Sequence, residues 1–360
     1  MTCTTRIMHL LQFTARRTSV QPREPNGDNE RKAHGSHRAI WSWRRKVGRT
    51  LRLPIPFNAA IASRSIPNKE CKPVAQTQQQ QIKSRPGSAS RRPSRVAFPH
   101  LNSPVEQDEE WFVAKIDGQW REYRLHDYAR LFSVPGLYEH VVYDILGCRS
   151  PQVVRDLLER TLKASGVDPK ELCVLDLGAG NGVVAQELTS IGVDSFIGVD
   201  LLPEAASAAE RDRPGLYDEY VADDLTDLDP ESARTLESAP INCLTCVAAL
   251  GFGDVPPVAF AKAFSFVETG GWIAFTIKED FLNSDDHSGF SRLIRHMIEH
   301  NIIEKHAEKK YVHRVNAEGE DLFYHAFVCK KLRDLNDTDL HGASLTSPSV
   351  AQRRASCSDP

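Results

Sequence analysis

Between Leu172 and Ile277 the chain alternates, at short and regular intervals, between apolar runs of strand length and amphipathic runs of helix length. Leu172–Leu177, Ser195–Val199, Tyr220–Ala222, Ile241–Leu250 and Gly271–Ile277 read as strands. Val183–Ile191, Pro203–Arg211, Pro230–Ser238 (opened by Asp229) and Pro257–Val267 read as the helices between them, and Ser288–His300 as a long amphipathic helix after them. Strands that are apolar along their whole length are buried on both faces, and a parallel return needs a crossover of helical length. The ending breaks the pattern: Lys310–Asn316 and Asp321–Lys330 are separated only by the turn at 317–320, too short for a crossover, so they pair antiparallel. The expected fold is α/β, a doubly wound seven-stranded sheet, mostly parallel, with one antiparallel strand in a C-terminal hairpin.

The remainder of the chain divides by composition. The first 100 residues hold 20 Lys and Arg against 4 Asp and Glu, whereas residues 101–360 hold 25 against 44, so the net charge of −3 conceals two opposite halves. The basic part has no sustained apolar periodicity, a Gln run at 78–81 and a Ser/Arg/Pro stretch at 84–95, and it cannot bury enough apolar surface to offset its chain entropy. The domain expectation is therefore a disordered basic extension over 1–105, an N-terminal hairpin and aromatic cap over 106–150, the α/β domain over 151–332, and a disordered tail over 333–360. In the cap, Glu110–Asp117 and Gln119–Leu125 flank Gly118 as a hairpin, and Tyr128, Phe132, Tyr138 and Tyr143 follow. Ser150-Pro151 reads as a helix N-cap with proline at the first helical position. Cys243 and Cys246 form a CxxC inside a strand, where positions three apart face opposite ways; two small buried side chains are expected and no metal site.

The chemistry lies in Val174–Gly182, VLDLGAGNG, where the first strand turns into the first helix. At the carboxyl edge of a doubly wound sheet this turn is a ligand site. Gly178 and Gly180 let main-chain groups approach a ligand closely, and Gly182 lets the helix start tight against the strand. The spacing is GxGxG, with Val183 where a dinucleotide loop carries its third glycine. Asp176 would repel a pyrophosphate and suits a ligand with an ammonium and a sulfonium; it is expected to face that ligand's amino-acid part. Asp200 closes the second strand, placed to accept hydrogen bonds from ribose hydroxyls. Leu201 and Leu202 could line an adenine, and Asp224, favoured by spacing over Asp223, could take its amino group beside Leu225.

VLDLGAGNG, then GVD, then ADDL, in this order and spacing, resembles the S-adenosylmethionine (SAM)-binding core of class I methyltransferases, whose Rossmann-like sheet also ends in an antiparallel hairpin. The resemblance covers roughly residues 150–331. It implies SAM as cofactor and contacts from Asp176, Gly178, Gly180, Asp200 and Asp224. Methyl transfer from a sulfonium is an in-line displacement, which asks a protein to align the reactants and exclude water. Asp254 after the fourth strand is followed by Val255-Pro256-Pro257 with no aromatic, which departs from the pattern of DNA amino-methyltransferases. Substrate or cap candidates are Tyr138, Tyr143 and Phe252, whose rings suit a sulfonium; His126, Lys278, Glu279 and Asp280 stand where a base could be, and none is assigned as one.

Two other readings use the same pattern: an NAD(P)-dependent Rossmann oxidoreductase, against which the glycine spacing and Asp176 weigh, and a non-catalytic SAM-fold protein that holds nucleic acid through its basic arm. A small-molecule substrate is expected over a macromolecule, and the basic N-terminal arm is the one place where nucleic acid could be held. No run approaches the ~20 apolar residues of a membrane span. A cytoplasmic location is expected, with a mitochondrial one as the alternative, since Arg6, Arg16 and Arg17 precede the first acid at Glu24.

Overall fold

The computed structural model describes residues 95–99, 106–283 and 286–343, all within one unit of the chain. The expectations for the rest of the basic extension, including its nucleic-acid contact, and for the end of the tail lie outside the described residues.

A small antiparallel sheet comes first, built from β1 (Val96–Ala97), β2 (Trp111–Ile116) and β3 (Gln119–Arg124) in that order. Asp117 and Gly118 both have positive φ, which is the geometry an Asp-Gly turn supplies. Helices α1 (Tyr128–Ser133) and α2 (Leu137–Glu139) follow, α2 running into a π-helical turn at His140–Ile145, and then α3 (Ser150–Ser165). The large sheet takes β4 (Cys173–Leu177), β5 (Ser195–Asp200), β6 (Glu219–Ala222), β7 (Cys243–Cys246), β8 (Trp272–Lys278), β9 (Ile303–Val315) and β10 (Asp321–Lys331). Its spatial order is β6-β5-β4-β7-β8-β10-β9, with β10 antiparallel to both β8 and β9 and every other pairing parallel. This is the doubly wound seven-stranded sheet the pattern requires. The crossovers are α4 (Val183–Thr189), α5 (Pro203–Asp212), α6 (Pro230–Ser238), α7 (Pro257–Phe266) and α8 (Phe290–Glu299), with α9 (Asp337–Gly342) closing the described part.

Strand alternation divides the core in two. Leu175, Leu177, Leu244, Cys246, Ile273 and Phe275 pack with α7 and α8 on one face. Val174, Phe196, Cys243 and Ala274 pack with α3 and α4 on the other. Cys243 and Cys246 thus point to opposite sides of the sheet, both fully buried. Among the described residues no helix is long and apolar enough to cross a membrane.

Four expectations need correction. The fourth strand is far shorter than Ile241–Leu250, because the chain leaves the sheet after Cys246 and Ala248 takes a positive φ of 57°. Ser150 is not an N-cap: it is the first residue of α3, fully buried, and its hydroxyl bonds Tyr311 Oη (2.5 Å) and His313 Nδ1 (2.6 Å), so a tertiary pair outcompetes the local helix end. Part of the extension expected to be disordered is strand: Val96 and Ala97 pair with Ala114 and Val113. Part of the expected tail is helix: α9 is held by an Asn336–Asp339 capping box, and Asp339 also engages Arg333 and His296. Both segments are short and carry no apolar periodicity; β1 is held by a partner strand and α9 by its cap and by His296.

The last strands carry the first ones. Glu110, just before β2, forms a buried ion pair with Arg314 of β9 and also accepts from the Ala317 N–H. Val315 N–H donates to Leu146 C=O and Arg149 N–H donates to His313 C=O, both within 2.9 Å. The N-terminal cap is therefore fixed against the C-terminal hairpin, over the carboxyl ends of β4, β5 and β7.

Candidate functional site

A cavity of about 360 Å³ opens at that edge. Its walls bring together Gly178, Gly180, Asp200, Leu201, Asp224 and Leu225 with Tyr138 and Tyr143 of the cap. Asp176, Gly182 and Phe252 are not in the wall.

The glycine turn has left-handed backbone at Gly178 (φ 70°), Gly180 (φ 54°) and Gly182 (φ 88°), a geometry that disfavours other residues. Gly178 and Ala179 N–H groups donate to Val199 C=O, and Gly180 C=O accepts from the Tyr220 hydroxyl at 2.7 Å. A Cβ on Gly178 would lie 2.8 Å from Ala249 Cβ, and one on Gly180 would lie 3.0 Å from the Phe132 ring. Small size is thus demanded by the protein's own neighbours as well as by any ligand. Gly182 caps α4 and stands behind the turn.

Asp200 is the pivot of the site. Oδ2 accepts from Gly180 N–H (2.9 Å) and Oδ1 from Leu202 N–H (3.0 Å). One donor per oxygen leaves lone-pair capacity on each for hydroxyl donors. Burial pushes this carboxyl up, and the backbone donors at Leu202 and Gly180 pull it back. Asp223 and Asp224 both line the cavity. Asp223 spends its oxygens on the N–H groups of Asp224 and Asp229, while Asp224 engages Thr226 through Oδ1.

Asp176 does something other than expected. It is 1 % exposed, and its oxygens accept from Tyr217 Oη (2.9 Å) and Thr245 Oγ1 (2.7 Å). Burial pushes its carboxyl up to about 6 against those two hydrogen bonds. The strand pleat directs it onto the sheet face below the glycine turn, where it braces the turn's foundation.

The roof is aromatic. Phe132 and Tyr138 have ring centroids 4.8 Å apart, Tyr138 and Tyr143 5.9 Å edge to face, and Tyr128 leans on both Phe132 and Tyr138. Phe132 also packs against Ala205 and Ala208 of α5. The loop after β7, which supplies the far wall, carries two strained non-glycine residues, Ala248 (φ 57°) in the wall and Phe252 (φ 50°) behind it. Phe252 packs edge-on to His126 and Phe281 rather than into the cavity. The same loop carries Asp254, whose Oδ2 is 3.2 Å from His126 Nδ1. Of the other base candidates, Lys278 pairs with Asp280, and Glu279 pairs with Lys310, so each lies in a charge pair beyond the wall.

Several residues here escape any local pattern. Arg213 bonds both Glu139 Oε1 and Asn181 C=O at 2.9 Å, while Asn181 Nδ2 donates to Glu139 Oε1 at 2.7 Å. This triangle pins the cap to the glycine turn. Tyr217 and Tyr220, from the segment before and within β6, buttress the same turn from below.

The electrostatics are one-sided. Asp127, Asp200, Asp223, Asp224 and Asp254 line the cavity, and no Lys or Arg does among the described residues. A wall of this sign attracts cationic groups and repels phosphates.

Residues 149–316 match the model of a family described as a methyltransferase domain. No curated protein matches the chain. Among solved structures, an S-adenosylmethionine-dependent methyltransferase from Clostridium acetobutylicum is 13 % identical, covering 55 % of this chain and 97 % of its own, with a TM-score of 0.37. A ribosomal protein L11 methylase from Lactobacillus delbrueckii subsp. bulgaricus is 15 % identical, covering 51 % of this chain and 79 % of its own, with a TM-score of 0.34. Both likenesses are distant and carry no functional argument.

Proposed function

We propose that this chain, which carries a class I SAM-dependent methyltransferase domain over residues 149–316, methylates a small uncharged or cationic molecule rather than a macromolecule. One observation carries the reading: a concave site lined by five aspartates and roofed by tyrosines, with no Lys or Arg in its wall among the described residues. A nucleic-acid or nucleotide acceptor would bring phosphates against that wall at a cost that grows as water is excluded.

The donor set fits the cofactor. Asp200 has free acceptor capacity on both oxygens for the ribose hydroxyls, Leu201 and Leu225 flank the place of a flat base, and the Gly178–Gly180 backbone gives the amino-acid part a close approach. Asp224 offers a carboxylate to the amino group of that base. Bound there, SAM supplies an electrophilic methyl group on a sulfonium. The chain's part is to orient the acceptor, keep water out beneath Tyr138 and Tyr143, and hold a protic acceptor ready to lose its proton.

Calorimetry on the full chain tests this reading. SAM and S-adenosylhomocysteine should bind, while NAD(H) and NADP(H) should give no heat. Label transferred from [methyl-³H]SAM in a cell extract should appear in the small-molecule fraction. Binding of NAD(H) alone would restore the oxidoreductase alternative, and label confined to protein or nucleic acid would overturn the acceptor class.

A further inference from the structure

The acceptor end of the cavity holds a close pair of polar residues brought together from distant segments. His126 follows β3 and Asp254 follows β7, 128 positions apart in sequence, and their Nδ1 and Oδ2 atoms are 3.2 Å apart. Both line the cavity, with side chains 15 % and 28 % exposed. The imidazole is held on its other sides by Tyr128 (5.5 Å) and the Phe252 edge (5.3 Å). With Nδ1 turned to the carboxylate, Nε2 is the nitrogen left for a ligand, which is how a carboxylate fixes the tautomer of a basic histidine.

A second observation extends the site. His126, Tyr128, Tyr138 and Asp254 also wall a smaller inner cavity of about 40 Å³ toward the C-terminal hairpin, room for roughly two or three non-hydrogen atoms. At its end lies Gln107, 7 % exposed, whose Nε2 donates to Tyr324 Oη at 3.0 Å while Oε1 is buried with no hydrogen-bond partner in the protein. A buried amide oxygen left in this way costs stability unless a donor reaches it.

Resting on the methyltransferase reading, we propose that His126 is the general base for methylation of a hydroxyl on a small aromatic acceptor, that Asp254 is its positioning residue, and that Gln107 Oε1 receives a second donor of the same molecule. The acceptor ring lies among Tyr128, Tyr138 and Tyr143. His126 Nε2 takes the hydroxyl proton as the oxygen forms its bond to the methyl carbon and the carbon–sulfur bond breaks, the bonding pair staying on sulfur as a neutral thioether; the imidazolium then returns its proton to water. The phenols of Tyr128 and Tyr138 do not compete as bases, because burial pushes both up and keeps them protonated. The charged and titratable groups around His126 are Asp127 and Tyr128 on its own segment, Asp254 across from it, Tyr138 and Cys148 from the cap, Tyr324, Arg314 and His313 from the hairpin, and Lys278 behind Phe252.

The test uses the full chain with phenol, catechol, aniline, thiophenol and 4-nitrophenol as probes at pH 8. Phenol and catechol should be methylated on oxygen, and labelled aniline or thiophenol with no labelled phenol or catechol would overturn the hydroxyl class. His126→Ala should lower kcat on phenol ~10²–10⁴-fold yet leave 4-nitrophenol, already ionised at this pH, within a few-fold. An equal loss on both would show a structural role and overturn the base assignment. Asp254→Asn should lower kcat on phenol ~10-fold and leave 4-nitrophenol within a few-fold; an equal loss on both removes Asp254 from the pair. Catechol titrated into protein saturated with S-adenosylhomocysteine should bind several-fold more weakly in Gln107→Leu, and unchanged binding removes the inner contact. S-adenosylhomocysteine affinity in His126→Ala should equal that of the unaltered chain; if the unaltered chain binds none, the methyltransferase reading itself has failed, which none of the acceptor results can mimic.

Discussion

The two ends of the cavity are made in different ways. The donor end consists of a glycine turn and two carboxylates at the ends of successive parallel strands, Asp200 closing β5 and Asp224 just after β6, so its parts are set by the spacing of one repeating unit. The acceptor end is assembled from the cap, the strained loop after β7 and the C-terminal hairpin, three regions far apart in sequence. Local geometry builds the first and long-range docking the second. Changes at the donor end should accordingly act on cofactor affinity, and changes at the acceptor end on turnover.

The largest expected effect separates the ends most sharply. Asp200→Ala removes the acceptor for Gly180 and Leu202 and for two ribose hydroxyls; at about 1.5–3 kcal/mol per charge-assisted bond, affinity for S-adenosylhomocysteine should fall at least ~100-fold in calorimetry on protein that is folded by circular dichroism. Undiminished affinity would move the ribose contact elsewhere.

Asp176→Asn should leave that affinity unchanged, since the side chain faces Tyr217 and Thr245, and should instead raise stability at neutral pH. The native carboxyl is pushed up to about 6 from 3.8, so its contribution is fully present below pH 4 and is lost as pH rises through 6. The amide does not ionise, and above pH 7 the variant should be more stable by ~3 kcal/mol. Urea melts from pH 4 to pH 8 measure this directly, and parallel curves for the two proteins would contradict it.

Gly180→Ala places a methyl group against Phe132 at φ 54°, at a cost of ~1–3 kcal/mol, read as a lowered melting temperature. Combining it with Phe132→Leu should recover part of the loss, because the clash is with the cap; simple additivity would show that the strain is in the backbone alone. Smallest of all, Asp224→Ala should weaken cofactor binding ~10-fold, the worth of one hydrogen bond to a charged group.

The same contrast explains what could be read from the sequence. The parallel sheet, the hairpin and the glycine turn follow from periodicity and spacing. The distance of Asp176 from Gly178 says which residue precedes the turn but not that Tyr217 and Thr245 close over the pleat on that side. Ser150 carries the signature of a helix cap, yet its hydroxyl meets a phenol and an imidazole from β9 more than 160 residues away. Arg213, Glu139 and Asn181 lock the cap by a three-way contact between elements none of which predicts the others. The His126–Asp254 approach is of the same kind: either residue alone is an ordinary polar group at a strand end.

The ion pair between Glu110 and Arg314 has a temporal meaning. Glu110, early among the described residues, has its anchor on one of the latest strands, and within the sheet that strand pairs only with β10. The donor half needs only β4, β5, β6 and their helices, whereas the end of the cap held by Glu110 has its partner only once the hairpin is made. Closure of the cavity thereby reports that the whole sheet has been made.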